Sequence, residues 1–294
     1  MPDSATQIFL AHRNLLFTIG YQILGSAADV EDVLQETWLR WVEVDLAQVV
    51  DQRAFLVRIT TRLSLDRLRA MKRRKESYIG PWLPEPLLTA PDVADDVELA
   101  NSVSMAIMLV LETLSPTERA VFVLREVFRV EYDEIAAAVD KTPAAVRQIA
   151  HRARQHVEAR RPRAEVSPSE ARAAVESFRR ALETGDFQTL LKVLAPDAVL
   201  ITDGGGIRQA ALRPIAGAEK LVRFVTGGIR KTGVSLAADP TVINGNPALL
   251  LSVDGQIVGV LAMRVEQARV TGIYYICNPE KLSRVTSETA LARQ

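Results

Sequence analysis

The sequence predicts three parts, two all-α units followed by an α+β domain. Through the first half of the chain, apolar residues recur at three- and four-residue steps, the spacing of amphipathic helices. After Ser169 the pattern changes to two more amphipathic helices followed by short β-type segments, an order typical of an α+β domain. The chain has 294 residues, of which 48% are hydrophobic, so it is long enough to bury two or three cores.

The first helical unit is predicted over residues 8–75. The Gly25-Ser26 pair should separate its first helix from a second helix that runs from Asp29 to Trp41 and is acidic. From Arg53 to Lys75 there are nine Lys or Arg and one acid, a net charge of +8. This concentration of positive charge favours a polyanionic partner, although the protein as a whole has a formal net charge of zero.

The next segment, residues 76–97, contains four prolines and scattered acids, which predicts an extended linker. From Glu76 to Leu114 there are seven acids and no Lys or Arg, a net charge of −7. A second helical unit follows, and its end is again basic. From Lys141 to Arg163, seven Lys or Arg stand against one acid, a net charge of +6.

The end of the second helical unit has the pattern of a helix-turn-helix. Tyr132–Val139 forms a short helix, and Asp140 occupies the sharp turn because Asp tolerates left-handed backbone geometry. Thr142 is a suitable N-cap and Pro143 a suitable first residue for the following helix. Arg and Gln side chains can bind base edges and phosphates. The candidate DNA contacts on this helix are Arg147, Gln148, His151, Arg152 and Arg154.

In the last third, helices are predicted near 169–184 and 186–194, and Asp254-Gly255 predicts a β-hairpin turn. The candidate strands are Ala198–Thr202, Thr241–Ile243, Ala248–Val253, Gln256–Val265 and Arg269–Cys277. The most apolar stretch, 242–263, is interrupted by polar residues and glycines, so it should form two strands and not a membrane span. The only cysteine, Cys277, excludes a disulfide framework and a Cys-rich zinc site. The N-terminus has no signal-peptide pattern, and a cytoplasmic location is expected.

The order of four segments resembles the conserved part of sigma factors of the extracytoplasmic function (ECF) class. They are the acidic helix Asp29–Trp41, Phe55–Ile59, Asp66–Arg69 and the basic run Lys72–Lys75. The resemblance implies sigma region 2 at 1–75, a linker at 76–97 and sigma region 4 at 98–162. In that family the acidic helix docks on the β′ clamp helices of RNA polymerase core. The basic helix recognises the promoter −10 element, and the helix-turn-helix binds double-stranded −35 DNA near the β flap. The resemblance places core binding at Asp29, Asp32, Gln35, Glu36 and Leu39, and −10 recognition at Arg58, Arg62, Arg69, Lys72 and Arg73.

Three short motifs resemble an ECF subgroup with a fused C-terminal SnoaL-like domain, a branch of the NTF2-like cone fold. They are Trp82-Leu83-Pro84-Glu85-Pro86-Leu87, Asp203-Gly204-Gly205-Gly206 and Asn278-Pro279-Glu280-Lys281-Leu282. The resemblance implies a regulatory domain at 163–294 with room for an unidentified small-molecule ligand. We expect it to pack against the sigma-like part through Trp82, Leu83, Pro84, Asp203, Gly204, Gly205, Gly206, Asn278, Pro279 and Lys281.

The expected function is promoter-specific transcription initiation by a dissociable polymerase subunit whose activity the C-terminal domain modulates. No cofactor, metal or membrane contact is expected. One alternative is a helix-turn-helix regulator that binds DNA alone and senses a small molecule. Another is a cyclase- or isomerase-like enzyme that uses Asp203, Tyr274 or Tyr275, although all three histidines lie outside the C-terminal domain.

Overall fold

A computed structural model of the chain describes residues 4–90, 96–160, 166–232 and 236–293. These residues form two compact units. The helical unit contains residues 4–76, 107–160 and 290–293, and the sheet unit contains the described residues of 77–106 and 166–289. The segment expected to link the two sigma regions therefore belongs to the sheet unit. The expected boundary between 162 and 163 lies outside the described residues.

The first half of the chain is helical, as predicted. The break between the first two helices falls at Gly25, whose φ is 72°, and Ser26 caps the second helix by accepting a hydrogen bond from the Asp29 amide. Trp41 is fully buried and donates its indole N–H to the carbonyl of Ala5. The helices of the described residues are α1 (Ser4–Leu24), α2 (Ala27–Trp41), α3 (Gln52–Glu76), α4 (Val97–Val103), α5 (Met105–Glu112), α6 (Pro116–Phe122), α7 (Tyr132–Val139), α8 (Pro143–Glu158), α9 (Pro168–Thr184), α10 (Phe187–Val193) and α11 (Ala218–Thr232).

The helix-turn-helix is confirmed in its local detail. Asp140 ends α7 with left-handed φ and ψ of 54° and 56°. Thr142 accepts a hydrogen bond from the Ala145 amide, and Pro143 is the first residue of α8. Each of these features was predictable because turn and cap chemistry depends on neighbouring residues alone.

The sheet unit has the predicted α+β class. Its six strands are β1 (Leu194–Asp203), β2 (Ile215–Ala216), β3 (Leu236–Ile243), β4 (Asn246–Val253), β5 (Gln256–Glu266) and β6 (Arg269–Ile276). They lie in the order β2-β1-β6-β5-β4-β3, with β1 and β6 parallel and the other pairs antiparallel. The predicted hairpin turn at Asp254-Gly255 joins β4 and β5. The apolar stretch 242–263 runs through three strands instead of two, and no described helix is long and apolar enough to cross a membrane.

Several elements of the sheet unit differ from the sequence prediction. Strand β2 was not predicted, and β1 begins at Leu194 instead of Ala198. Strand β3 begins at Leu236 and includes Pro240, which fits because β3 lies at the edge of the sheet, where a missing N–H is tolerated. Helix α11 was not predicted, because its Gly227-Gly228 pair has poor helix propensity. Its apolar residues Leu221 and Val222 are buried in the core, and this packing outweighs the unfavourable local preference.

The two faces of the sheet are covered by different parts of the chain. Leu249 and Leu251 pack with Phe178 of α9 in a core beneath the helices. The alternate residues, such as Ala248, belong to a separate apolar cluster that includes Leu88 from the segment before α4. The segment 77–90 thus supplies part of the core of the sheet unit.

Candidate functional sites

Helix α2 presents a mixed polar and apolar face to solvent. Asp32, Gln35, Glu36 and Leu39 are exposed at i, i+3, i+4 and i+7, and Leu39 is 56% exposed. The opposite face of α2 is buried, with Val30, Val33, Leu34 and Thr37 facing inward. Four of the five residues expected to bind polymerase therefore share one outward surface.

Asp29 is the exception and requires a correction. It is only 8% exposed and accepts hydrogen bonds from Arg67 at 2.6 Å and Arg74 at 3.2 Å. Burial opposes ionisation of this carboxyl, but hydrogen bonds from Arg67 and Ser26 outweigh it and lower the pKa of Asp29. Its carboxylate does not face outward, because it binds Arg67 and Arg74 of α3. Asp29 therefore joins α2 to α3 inside the unit.

The residues expected to contact −10 DNA lie along α3 in different environments. Lys72 and Arg73 are exposed in the last turn, and Arg69 is exposed beside Asp66 at 2.8 Å. Arg58 is half-buried, with its guanidinium 4.7 Å from the centre of a neighbouring phenyl ring. Arg62 donates a hydrogen bond of 2.7 Å to the carbonyl of residue 137, at the end of α7.

A buried ionic network also joins the two predicted sigma regions inside the helical unit. Arg119, at 1% exposure, donates to Glu112 at 2.6 Å and to the carbonyl of Gln22 at 2.7 Å. Lys75 donates to the same carboxylate. Burial opposes ionisation of Glu112, but Arg119 and Lys75 lower its pKa below the ordinary value. Together with Arg62, this network holds α1 and α3 against α5, α6 and α7.

The second helix of the helix-turn-helix, α8, exposes a basic and amide-bearing face. Arg147, Gln148, His151 and Arg152 are exposed, whereas the opposite face of α8 is buried in the unit. Arg154 differs from the prediction. Its guanidinium binds Glu126 through two hydrogen bonds of 2.6 and 3.1 Å, so it ties α8 to the π-helical segment Val123–Val127.

In the sheet unit, Asp203 is the centre of a buried cluster. The carboxylate is 0% exposed and accepts hydrogen bonds from the Tyr78 hydroxyl at 2.5 Å and the Leu83 amide at 2.8 Å. It also accepts from the Gly205 amide at 3.2 Å and from the Lys281 ammonium at 2.7 Å. Both carboxylate oxygens therefore have two donors each. We call these five residues the Asp203 cluster.

Lys281 supplies the positive charge that pairs with Asp203, and it also binds the linker. Its ammonium donates to the Leu83 carbonyl at 2.6 Å and lies 3.4 Å from the ring centre of Trp82. Burial and the hydrogen bond to Asp203 raise the pKa of Tyr78, which keeps its hydroxyl protonated as a donor. The positive charge is therefore enclosed by one carboxylate, one carbonyl and aromatic rings.

The glycine run allows the close approach of the third motif. Gly205 has a φ of 61°, and a Cβ there would lie 2.4 Å from the side-chain nitrogen of Asn278. Gly206 has a φ of 74°, and a Cβ there would lie 2.9 Å from Ile79. Asn278 is 1% exposed, and its backbone N–H donates to the backbone carbonyl of Asp203 at 3.0 Å.

The structure thus brings the three motifs together in one place. In addition to the residues of the Asp203 cluster, the motif residues Pro84 and Gly204 are buried and Trp82 is half-buried. Pro279 is exposed and opens a short 3-10 helix that ends at Lys281.

Several residues of these sites were not identified from the sequence. Arg67, Glu112 and Arg119 each have a partner at least 37 residues away in the chain, and no local pattern marks them. Tyr78 lies four residues before the Trp82 motif, and its aromatic side chain in a polar segment was the available signal. Among the described residues, no group of three or more His, Cys, Asp or Glu is arranged to hold a metal ion.

Comparison with known proteins identifies both helical regions. Residues 8–74 match the family model described as sigma-70 region 2, and residues 104–157 match the model described as sigma-70, region 4. The chain is 36% identical over 288 residues to the ECF RNA polymerase sigma factor SigJ of Mycobacterium tuberculosis, across 94% of this chain and 92% of that protein. The protein belongs to the ECF RNA polymerase sigma factors.

The similarity of this ECF sigma factor to its relatives extends across the C-terminal third. It is 31% identical over 289 residues to the probable ECF sigma factor SigI of M. tuberculosis, across 97% of each chain. The crystal structure of M. tuberculosis SigJ matches it with a TM-score of 0.76 and 32% identity, over 95% of this chain and 98% of that one. The six-stranded sheet with helices on one face has the architecture expected of the NTF2-like cone fold, as the sequence motifs implied.

Proposed function

We propose that this ECF sigma factor binds RNA polymerase core and directs promoter-specific initiation in the cytoplasm. The exposed face of α2 would meet the β′ clamp helices, and α3 would contact the −10 element. Helix α8 would read −35 DNA near the β flap. The observation that carries the proposal is the surface of α8, where Arg147, Gln148, His151 and Arg152 are exposed while the opposite face is buried. Arg and Gln side chains on an exposed helix can reach the major groove.

The proposed role of the sheet unit is regulation of this activity and not catalysis. Asp203 has no exposed surface, and its acceptor positions are occupied by donors of the protein itself, so it is not available as a general base. Tyr274 is 6% exposed. Tyr275 is hydrogen-bonded to Cys277, and burial raises the pKa of its hydroxyl. Asp203 holds the linker, and Tyr275 packs against the core of the unit.

We infer that the helical unit must open to bind both promoter elements. Elements centred at −10 and −35 are separated by about 25 base pairs, or about 85 Å along B-DNA. A compact unit of this size is only roughly 40 Å across. Arg62 and the Lys75–Glu112–Arg119 network hold the two regions together, so these contacts must open before both elements can be bound.

Run-off transcription with purified core polymerase tests the proposal. Core alone, core with the full chain, and core with the Arg147→Ala/Arg152→Ala variant are compared on promoters selected from a genomic library. The full chain should produce defined start sites, and the variant should lose them while still binding core. The matched control is Arg172→Ala/Arg223→Ala, which removes two exposed arginines from the sheet unit. Equal transcription by the α8 variant and the control would contradict the assignment of α8.

A further inference from the structure

The linker is held a second time, at the turn between β3 and β4. Asn244 is 0% exposed, and its backbone amide donates to the Leu87 carbonyl at 2.9 Å. Its side-chain oxygen accepts from the Leu87 amide at 3.0 Å, and its side-chain nitrogen donates to the Val103 carbonyl at 2.8 Å. A single buried amide therefore joins Leu87 of the linker to Val103 at the end of α4, 16 residues further along the chain.

The rest of the turn reinforces this contact. Gly245 donates its amide to the Thr89 hydroxyl at 2.9 Å, and the Thr89 amide donates to the carbonyl of Val242 at 3.1 Å. Asn246 donates its side-chain nitrogen to the Ala100 carbonyl at 3.2 Å. The last carbonyls of a helix lack partners within the helix. Two asparagine side chains of the sheet unit thus satisfy carbonyls of α4, a helix of only seven residues.

We propose that the turn Asn244–Asn246 is a latch that positions the start of sigma region 4 and restrains opening of the helical unit. This inference rests on the proposed function. The match to sigma region 4 begins at residue 104, directly after Val103. By binding Val103, Asn244 therefore fixes the position at which sigma region 4 begins.

The length of chain released by the latch is large enough to matter. With Val103 bound, only residues 104–106 separate the latch from the helical unit, a reach of roughly 10 Å. With α4 released, 17 residues follow Thr89 before the helical unit begins, a length of up to roughly 60 Å when fully extended. This reach is comparable to the separation of about 85 Å between the two promoter elements. Release of α4 should therefore favour the open form.

The geometry of Asn244 offers clean variants. Its φ of 53° is left-handed, so Asn244→Gly keeps the turn and removes both side-chain hydrogen bonds. Asn244→Asp keeps the shape and the acceptor for Leu87, but it places a carboxylate oxygen against the Val103 carbonyl. The control is Asp254→Gly, which makes the same kind of change at a φ of 49° in the exposed β4–β5 turn.

The full-length variants are compared by hydrogen exchange over residues 97–103 and by run-off transcription with core polymerase. Both Asn244 variants should exchange faster over 97–103 by about ten-fold, the effect of one to two buried hydrogen bonds, and transcription should rise several-fold. Asn244→Asp should leave exchange at Leu87 unchanged, and Asp254→Gly should resemble the wild type throughout. Asn246→Ala removes one hydrogen bond to α4 and should give smaller increases in the exchange rate and in transcription. It replaces the Asn244 variants in the test if those do not fold.

Two results would overturn the latch. One is unchanged exchange over 97–103 in folded Asn244 variants. The other is faster exchange with unchanged or reduced transcription. If neither the wild type nor any variant produces promoter-directed transcripts, the proposed function fails instead, and the exchange data still decide whether Asn244 holds α4.

Discussion

The Lys281–Asp203 pair offers a severe test of how the linker is held. The Lys281→Met substitution keeps an apolar stem of similar length but removes the ammonium 2.7 Å from a carboxylate with 0% exposure. Removing one partner of a buried ion pair costs about 3–5 kcal/mol, because the remaining charge is left uncompensated. Three donors remain on Asp203, including Tyr78 and the Leu83 amide, so we expect about 3 kcal/mol.

Urea unfolding followed by circular dichroism would measure this loss, and hydrogen exchange over 78–89 would show where it acts. The double variant Asp203→Asn/Lys281→Met removes both charges and should be more stable than Lys281→Met alone, with a coupling energy of about 2 kcal/mol. Lys192→Met, at an exposed position of α10, is the matched control. A loss below about 1 kcal/mol for Lys281→Met, or a double variant as unstable as the single one, would refute the reasoning.

Three further predictions concern the other sites. Charge reversal of the exposed residues Asp32 and Glu36 should weaken core binding at least about ten-fold in a pull-down titration without loss of helical signal, whereas unchanged affinity would place the contact elsewhere. Arg147→Ala should cost about 1–3 kcal/mol in −35 binding and alter base preference in a selection assay, while Arg154→Ala should lower stability by less than about 1 kcal/mol and leave preference unchanged. Burial raises the pKa of Cys277 to about 11, so at pH 8 the thiol stays protonated and should react with iodoacetamide only when the sheet unit unfolds. Labelling at the rate of a free thiol in native buffer would contradict that burial.

The features that sequence analysis predicted correctly depend on neighbours in the chain. Asp140 and Thr142 fix the helix-turn-helix through turn and cap chemistry, and the apolar periodicity fixes which face of α2 is buried. Two residues predicted as outward contacts, Asp29 and Arg154, instead form ion pairs within the helical unit. Their partners lie 38 and 28 residues away, and only the tertiary fold brings them together. The helical pattern alone therefore does not show which charges are used to hold the fold together.

The linker illustrates the same limit, because its composition predicted an extended segment and the fold makes it part of a core. Burying a chain requires that each backbone N–H and C=O find a partner. Three prolines between residues 81 and 86 remove donors, which lowers the number of hydrogen bonds that burial demands. Leu83 and Leu87 are 0% exposed, and each has its amide and carbonyl bound by the sheet unit, at the Asp203 cluster and at Asn244 respectively. Because each anchor depends on a few side-chain contacts, the two can open separately. Release at Asn244 would free the start of region 4 while the Asp203 cluster still holds the end of the linker nearer region 2.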